Sequence, residues 1–259
     1  MSFREYRARI PSRSALQIVI WWIAVRTLSR VLFWLLYRLR CRNRHLIPAR
    51  GPVIYVSNHQ SHLDPILMGC HVGAFSPLAR TTLFEIPFWG WALGELGGIP
   101  LKREKSDVGA MRAAIEVLKA GGRIFIFPEG TRTRDGVIGP FLPGMLVLVK
   151  RPGATVVPVA VEGARDVWPP GRGRPRLTGR IVSTTGTPIS AQELLANGRE
   201  AALDLLRRRI ETMRLELRQR LRSQTGGRYP PPGPGDRPFW EAPTTPDPAS
   251  LRSPRSSAR

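Results

Sequence analysis

Three short apolar runs leave this chain few folds to choose from. Residues 53–57 (VIYVS), 123–127 (RIFIF) and 155–161 (TVVPVAV) are strand-length and rich in Val and Ile. Uninterrupted apolar runs of that length read as strands with both faces covered. Between them the period lengthens. Met111, Ala114, Ile115 and Leu118 share one face of residues 107–120, with Ser106 as candidate cap and Gly121-Gly122 as the stop. Residues 65–72 also read as a helix, with Pro65 in its first turn, as do residues 87–96, which carry Gly90 and Gly94. Strands alternating with helices predict an α/β domain with a mixed sheet flanked by helices. A late strand is expected over 176–185. Ser190 and Glu193 fit a capping box opening a long basic helix. Its Leu206, Ile210, Met213, Leu217 and Leu221 form a stripe that should pack on the domain.

Ahead of the domain, residues 16–25 (LQIVIWWIAV) and 31–37 (VLFWLLY) are apolar but interrupted by Arg26 and Arg30. A spanning helix wants about 20 apolar residues with few charges, so this segment is expected to lie in one leaflet as one or two helices. Trp21, Trp22 and Trp34 suit an interface, and Arg38, Arg40, Arg42 and Arg44 follow as a polybasic patch whose side would face lipid phosphates. An ordinary amphipathic helix covering the domain is the alternative. No small-residue cleavage site follows the apolar run, so a removed signal peptide is not expected. Residues 1–45 are thus read as interfacial helices with a basic flank, and 46–225 as the α/β domain. Residues 226–259, rich in Pro, Ser and Arg, read as a disordered tail, because so few apolar residues cannot offset ordering entropy.

The net charge of +21, from 40 Lys and Arg against 19 Asp and Glu, asks for a polyanionic partner. Nucleic acid is not expected, since the tryptophans sit in apolar stretches rather than among basic runs. Cys41 and Cys70 make neither a disulfide framework nor a C-x-x-C site, and no metal site is indicated.

Chemistry concentrates at strand ends. After 53–57 comes NHQSHLD, residues 58–64. His59 and Asp64 would point about 140° apart on one helix, so they meet only if His59 sits in the strand-to-helix turn and Asp64 in the first helical turn. Asp64 would then fix the imidazole tautomer and leave the other nitrogen free to take a proton. With no nucleophilic Ser or Cys in the motif, the natural substrate for that base is a hydroxyl; a plain capped turn is the alternative. FPEGTR (127–132) places Glu129, Gly130 and Arg132 after the second run, where arginine suits a phosphate and Glu129 could orient the turn or a substrate hydroxyl. GGIPLKR (97–103) brings Lys102 and Arg103. Pro158, inside the third run, implies an edge or a bulge.

These four segments, in this order, resemble the glycerolipid acyltransferase family over roughly residues 50–165. NHQSHLD is similar to its N-H-x-S-x-x-D block, GGIPLKR to its second block, FPEGTR to its third and VVPVAV to its fourth. The resemblance implies acyl transfer from acyl-CoA or acyl carrier protein to the sn-2 hydroxyl of 1-acylglycerol-3-phosphate, giving phosphatidic acid, with no other cofactor. It implies His59 as base and Asp64 as its partner. Arg103, Glu129, Gly130 and Arg132 would hold the acceptor's glycerol phosphate, with Arg80 where many members have lysine. Pro158 would belong to the acyl-donor region. Expected partners are a lysophospholipid acceptor, the acyl donor and anionic membrane lipids, at the cytoplasmic face of the inner membrane. Two other readings stay open: the same chemistry on another lysolipid such as lyso-ornithine lipid, and a non-catalytic basic membrane-binding protein. Leu142 departs from the family, which often has a basic residue there.

Overall fold

The computed structural model describes residues 15–86, 90, 93–94, 98–101, 108–150 and 153–241, with 15–22 described by backbone alone. Helix α1 (Ala15–Tyr37) leads into β1 (Arg40–Arg42); β2 (Val53–Ser57) is followed by α2 (Asp64–Val72). Then come β3 (Ser76–Arg80), β4 (Ile99–Leu101), α3 (Val108–Lys119), β5 (Arg123–Ile126), β6 (Thr155–Glu162), β7 (Val182–Thr185) and β8 (Ile189–Ser190). The helices α4 (Ala191–Leu195) and α5 (Arg199–Ser223) close the domain.

The strands form one mixed sheet in the order β1-β7-β6-β2-β5-β3-β4, with β8 also on β6. β2 lies at its centre, parallel to β5 on one side and β6 on the other, and all five of its residues are buried. Alternation along β2 divides the interior. Ile54 and Val56 join Ala114, Leu206, Ile210, Leu217 and Leu221 beneath α3 and α5. Val53 and Tyr55 join Phe33, Tyr37, Leu67 and Met68 beneath α1 and α2. The period of two in the strand thus serves two helical layers, which is why the run shows no polar alternation.

Several expectations are corrected. The late strand is confined to Val182–Thr185, and the long basic helix is two, broken at Asn197-Gly198 after Ser190 Oγ caps α4 by accepting from the Glu193 N–H. Strand β6 is interior, so Pro158 is not at an edge. It is tolerated where the neighbouring strand breaks between β7 and β8, and its carbonyl accepts from the Gly186 N–H there. Most of the predicted helix over 87–96, Lys102, Arg103, Ser106 and residues 242–259 lie outside the described residues.

The tail reading fails for residues 226–241. Asp236 accepts from Arg218 Nε at 2.5 Å and from Arg222 Nη2, while the carbonyls of Pro230, Pro231 and Gly235 accept from Arg222, Arg218 and Arg214. These arginines recur every fourth residue, forming one line on α5. Charge-assisted bonds hold this segment together with Tyr229, which packs against the core.

The polybasic flank also divides. Arg26 lies against Gly73 at the C-terminal end of α2, where a cation suits the exposed carbonyls. Arg44 Nε donates to the His71 carbonyl, at 2.8 Å. Arg26 and Arg44 therefore face the domain instead of lipid. The large apolar side chains Ile23, Leu28, Val31, Leu32, Trp34 and Leu35 of α1 are exposed. No helix among the described residues is long and apolar enough to cross a membrane.

Candidate active site

The turn after β2 is held from every side. Asn58 extends the β2–β6 ladder with its side chain: Nδ2 donates to the Val161 carbonyl and Oδ1 accepts the Val161 N–H, both at 2.9 Å. His59 is clamped through its backbone. Its N–H donates to Glu129 Oε1 at 2.8 Å and its carbonyl accepts from the Thr133 N–H at 2.8 Å. Asp64, in the first turn of α2, is fully buried. Its Oδ2 faces His59 Nδ1 at 2.8 Å and accepts the N–H groups of Gln60 and Ser61 at 2.6 and 2.7 Å. Two backbone donors already hold this carboxylate, so it can orient the imidazole without moving. The ring stacks on Phe127, with centroids 3.9 Å apart. His59 Nε2 has no hydrogen-bond partner among the described residues, and the side chain is 17% exposed.

Of the two uses expected for Glu129, its hydrogen bonds show the first, orienting the turn. One oxygen takes the His59 N–H and the other the Gly139 N–H, at 2.9 Å. Each oxygen thus holds a backbone N–H, and Glu129 ties the His59 turn to the loop at Gly139. Burial pushes its pKa up to about 7, against the two N–H donors that favour the charge.

Gly130 takes a left-handed φ of 66°. Leu142 Cδ1 lies 2.8 Å from where a β-carbon would stand, so the residue that replaces the expected basic group packs over this glycine. Arg80 is exposed, and its Nη2 donates to the Gly130 carbonyl at 3.3 Å. Arg132 is half-buried; burial and the neighbouring Arg80 lower its pKa. Neither arginine has a carboxylate partner among the described residues. Arg132 is close enough to Asp64 and to Arg80 for the charge of each to act on it. Pro158 is buried in β6. Arg103 lies outside the described residues. His62 packs against Trp168, its pKa lowered by burial and by Arg132.

Reading the motif leaves out a polar chain behind the turn. Gln60 Nε2 donates to Glu162 Oε2 at 3.2 Å, and Glu162 also takes Arg214 at 3.2 Å and Arg218 at 2.6 Å. Through Arg218 the chain reaches Asp236. A glutamate ending the strand-like run was its one visible signal. Among the described residues, no three His, Cys, Asp or Glu side chains cluster at metal-binding spacing.

A family model described as Acyltransferase matches residues 38–162. The 1-acyl-sn-glycerol-3-phosphate acyltransferase of Pseudomonas aeruginosa is 30% identical over 188 residues, 71% of this chain and 71% of that protein. The chain belongs to the acyltransferase family. The chloroplastic 1-acyl-sn-glycerol-3-phosphate acyltransferase LPAT1 of Arabidopsis thaliana is 36% identical over 138 residues. That match covers 52% of this chain but only 39% of the plant protein, so the chain spans about two fifths of that relative's length. In fold it is similar to the crystal structure of the 1-acyl-sn-glycerophosphate acyltransferase PlsC from Thermotoga maritima. The TM-score is 0.65 at 26% identity, covering 82% of this chain and 87% of that one. The family match encloses His59, Asp64, Arg80, Glu129 and Arg132, the residues that the fold gathers.

Proposed function

We propose that this member of the acyltransferase family moves an acyl group from a thioester, acyl-CoA or acyl carrier protein, to the sn-2 hydroxyl of 1-acylglycerol-3-phosphate, giving phosphatidic acid. The observation that carries this reading is His59 Nδ1 on Asp64 Oδ2 at 2.8 Å, with Nε2 unengaged and Arg80 and Arg132 lacking a carboxylate partner among the described residues. Nε2 takes the hydroxyl proton as the oxygen attacks the thioester carbonyl. The carbon–sulfur bond breaks, and the imidazolium returns the proton to the departing thiolate, leaving an ester and a free thiol. Asp64 stabilises the imidazolium while it exists. The Glu129 and Thr133 clamps keep the ring from drifting, and its stacking on Phe127 limits water around the base. Arg80 and Arg132 bind the acceptor phosphate, with Arg103 as a further contact. No cofactor besides the acyl donor enters this scheme. The exposed apolar side of α1 supports residence in one leaflet, where the acceptor is already dissolved; we place that leaflet on the cytoplasmic face of the inner membrane.

Thiol release from acyl-CoA and from acyl carrier protein tests this, with lysophosphatidic acid and a phosphate-free lysolipid offered in parallel. Phosphate-dependent release that His59→Ala abolishes supports the proposal and identifies the donor. Turnover of the phosphate-free lysolipid alone keeps the chemistry and moves the acceptor, which the apolar Leu142 at the site's rim would favour. Turnover unchanged in His59→Ala overturns the mechanism.

A further inference from the structure

On the far side of β6 and β7 from the His59 turn lies a cavity of about 350 Å³. Arg38, Arg40, Arg42, Arg180 and Arg220 line it, with Trp34 and Leu35 at the end of α1 and no Asp or Glu. None of these five side chains has an ion pair or a hydrogen bond among the described residues. Five guanidiniums lining one cavity without a counter-charge make it a place where an anion shared between them would be favoured. Arg38 carries a cost of its own. It ends α1 at a φ of 48°, a left-handed conformation that a glycine would take with less strain.

The rim says which anion. Leu28, Val31, Leu32 and Leu35 run up α1 from the cavity at helical spacing and are all exposed. A ligand matching both features carries a phosphate with hydrocarbon attached. A free phosphate would leave the stripe bare, and a nucleic acid would set charge against it. We infer that this cavity is a second lipid site, holding the phosphate of an anionic membrane phospholipid while its acyl chains lie along α1. The site is separate from the catalytic turn: none of its lining residues belongs to the His59 cluster. It would fix the depth and rotation of the enzyme on the leaflet.

The test is co-sedimentation of the full chain with vesicles of phosphatidylcholine, with and without phosphatidylglycerol. Wild type should prefer the anionic vesicles. Arg40→Gln with Arg180→Gln should weaken that binding by roughly thirtyfold, at about fivefold per arginine near an anionic surface. Arg38→Gly should weaken it by about fivefold without lowering Tm, since the glycine relieves the backbone. The control, Arg112→Gln with Arg199→Gln, removes the same charge from exposed positions elsewhere and should change little. Equal losses in both double variants would reduce the effect to net charge and overturn the site. Wild type without a preference for anionic vesicles, or an Arg40/Arg180 variant that binds as wild type does, would overturn it as well. Turnover of detergent-dispersed substrate should match wild type in every variant. The vesicle result stands whether or not that turnover is found, so the two proposals fail separately.

Discussion

Glu129 supplies a prediction whose sign and size both follow from its surroundings. The carboxyl is 8% exposed, and burial raises its pKa from 4.5 to about 7. Below pH 4.5 folded and unfolded chains both hold this proton. Between the two values only the folded chain holds it. This group's contribution to stability is therefore complete at acid pH, declines across that interval and is lost above about pH 7. The displacement corresponds to about 3 kcal/mol. Glu129→Gln removes the titration. The glutamine amide can still accept one of the two N–H groups but sets its own N–H against the other, a cost of about 1 to 3 kcal/mol that does not vary with pH. Urea unfolding of both proteins between about pH 4.5 and about pH 8 isolates the effect, because groups common to both cancel in the difference. The wild-type advantage should shrink by about 3 kcal/mol across that range. Two stability curves that stay parallel would show that Glu129 remains ionised throughout, and that its two backbone donors outweigh burial.

Asp64→Asn keeps the shape of the turn but removes the charge facing the imidazolium; kcat should fall by roughly two to four orders of magnitude with KM little changed, in the thiol-release assay. Asp236, held down to about 2 by Arg222 and Arg218 against the opposing effect of burial, should contribute about 1 to 2 kcal/mol after screening at its quarter-exposed position. That contribution is present above pH 3.8 and lost as pH falls through about 2, so Asp236→Asn should lower urea stability at neutral pH and approach wild type in acid. Gly163→Ala would set a methyl 2.0 Å from the Arg180 carbonyl oxygen at a φ of 87°, and thermal unfolding should show a loss of at least about 3 kcal/mol. Leu206→Ala, at a fully buried position of α5, should cost about 2 to 5 kcal/mol by denaturant titration with turnover retained at low temperature.

Much of the architecture is local and therefore legible along the chain. The β2, β5 and β6 runs announce themselves because a strand covered on both faces needs no polar alternation, and α3 because its apolar face repeats at helical period. The His59–Asp64 pairing is legible too: they lie five positions apart, and Pro65 marks where the helix begins. Interactions between distant segments left weaker traces. The Glu129 clamp joins residues 70 apart, and nothing in FPEGTR says that both oxygens are taken. Gln60 and Glu162 are 102 apart, so the chain that ties the turn to α5 has no local signature.

By itself the sequence determined the strand and helix periods, the apolar N-terminal segment and the residue types that meet at the strand ends, since these depend on neighbours a few positions away. Tertiary structure decided which charges are buried and what they face. Arg214, Arg218 and Arg222 look like a solvated helix face until Glu162 and Asp236 are brought against them, and that encounter orders residues 226–241, which composition assigns to disorder. It likewise turned Arg26 and Arg44 toward the domain and set Arg38, Arg40 and Arg42 beside Arg180 and Arg220, with no ion pair among the described residues. Charge at a position is written in the chain; its counter-charge is supplied by the fold, because electrostatic partners are set by distance in space.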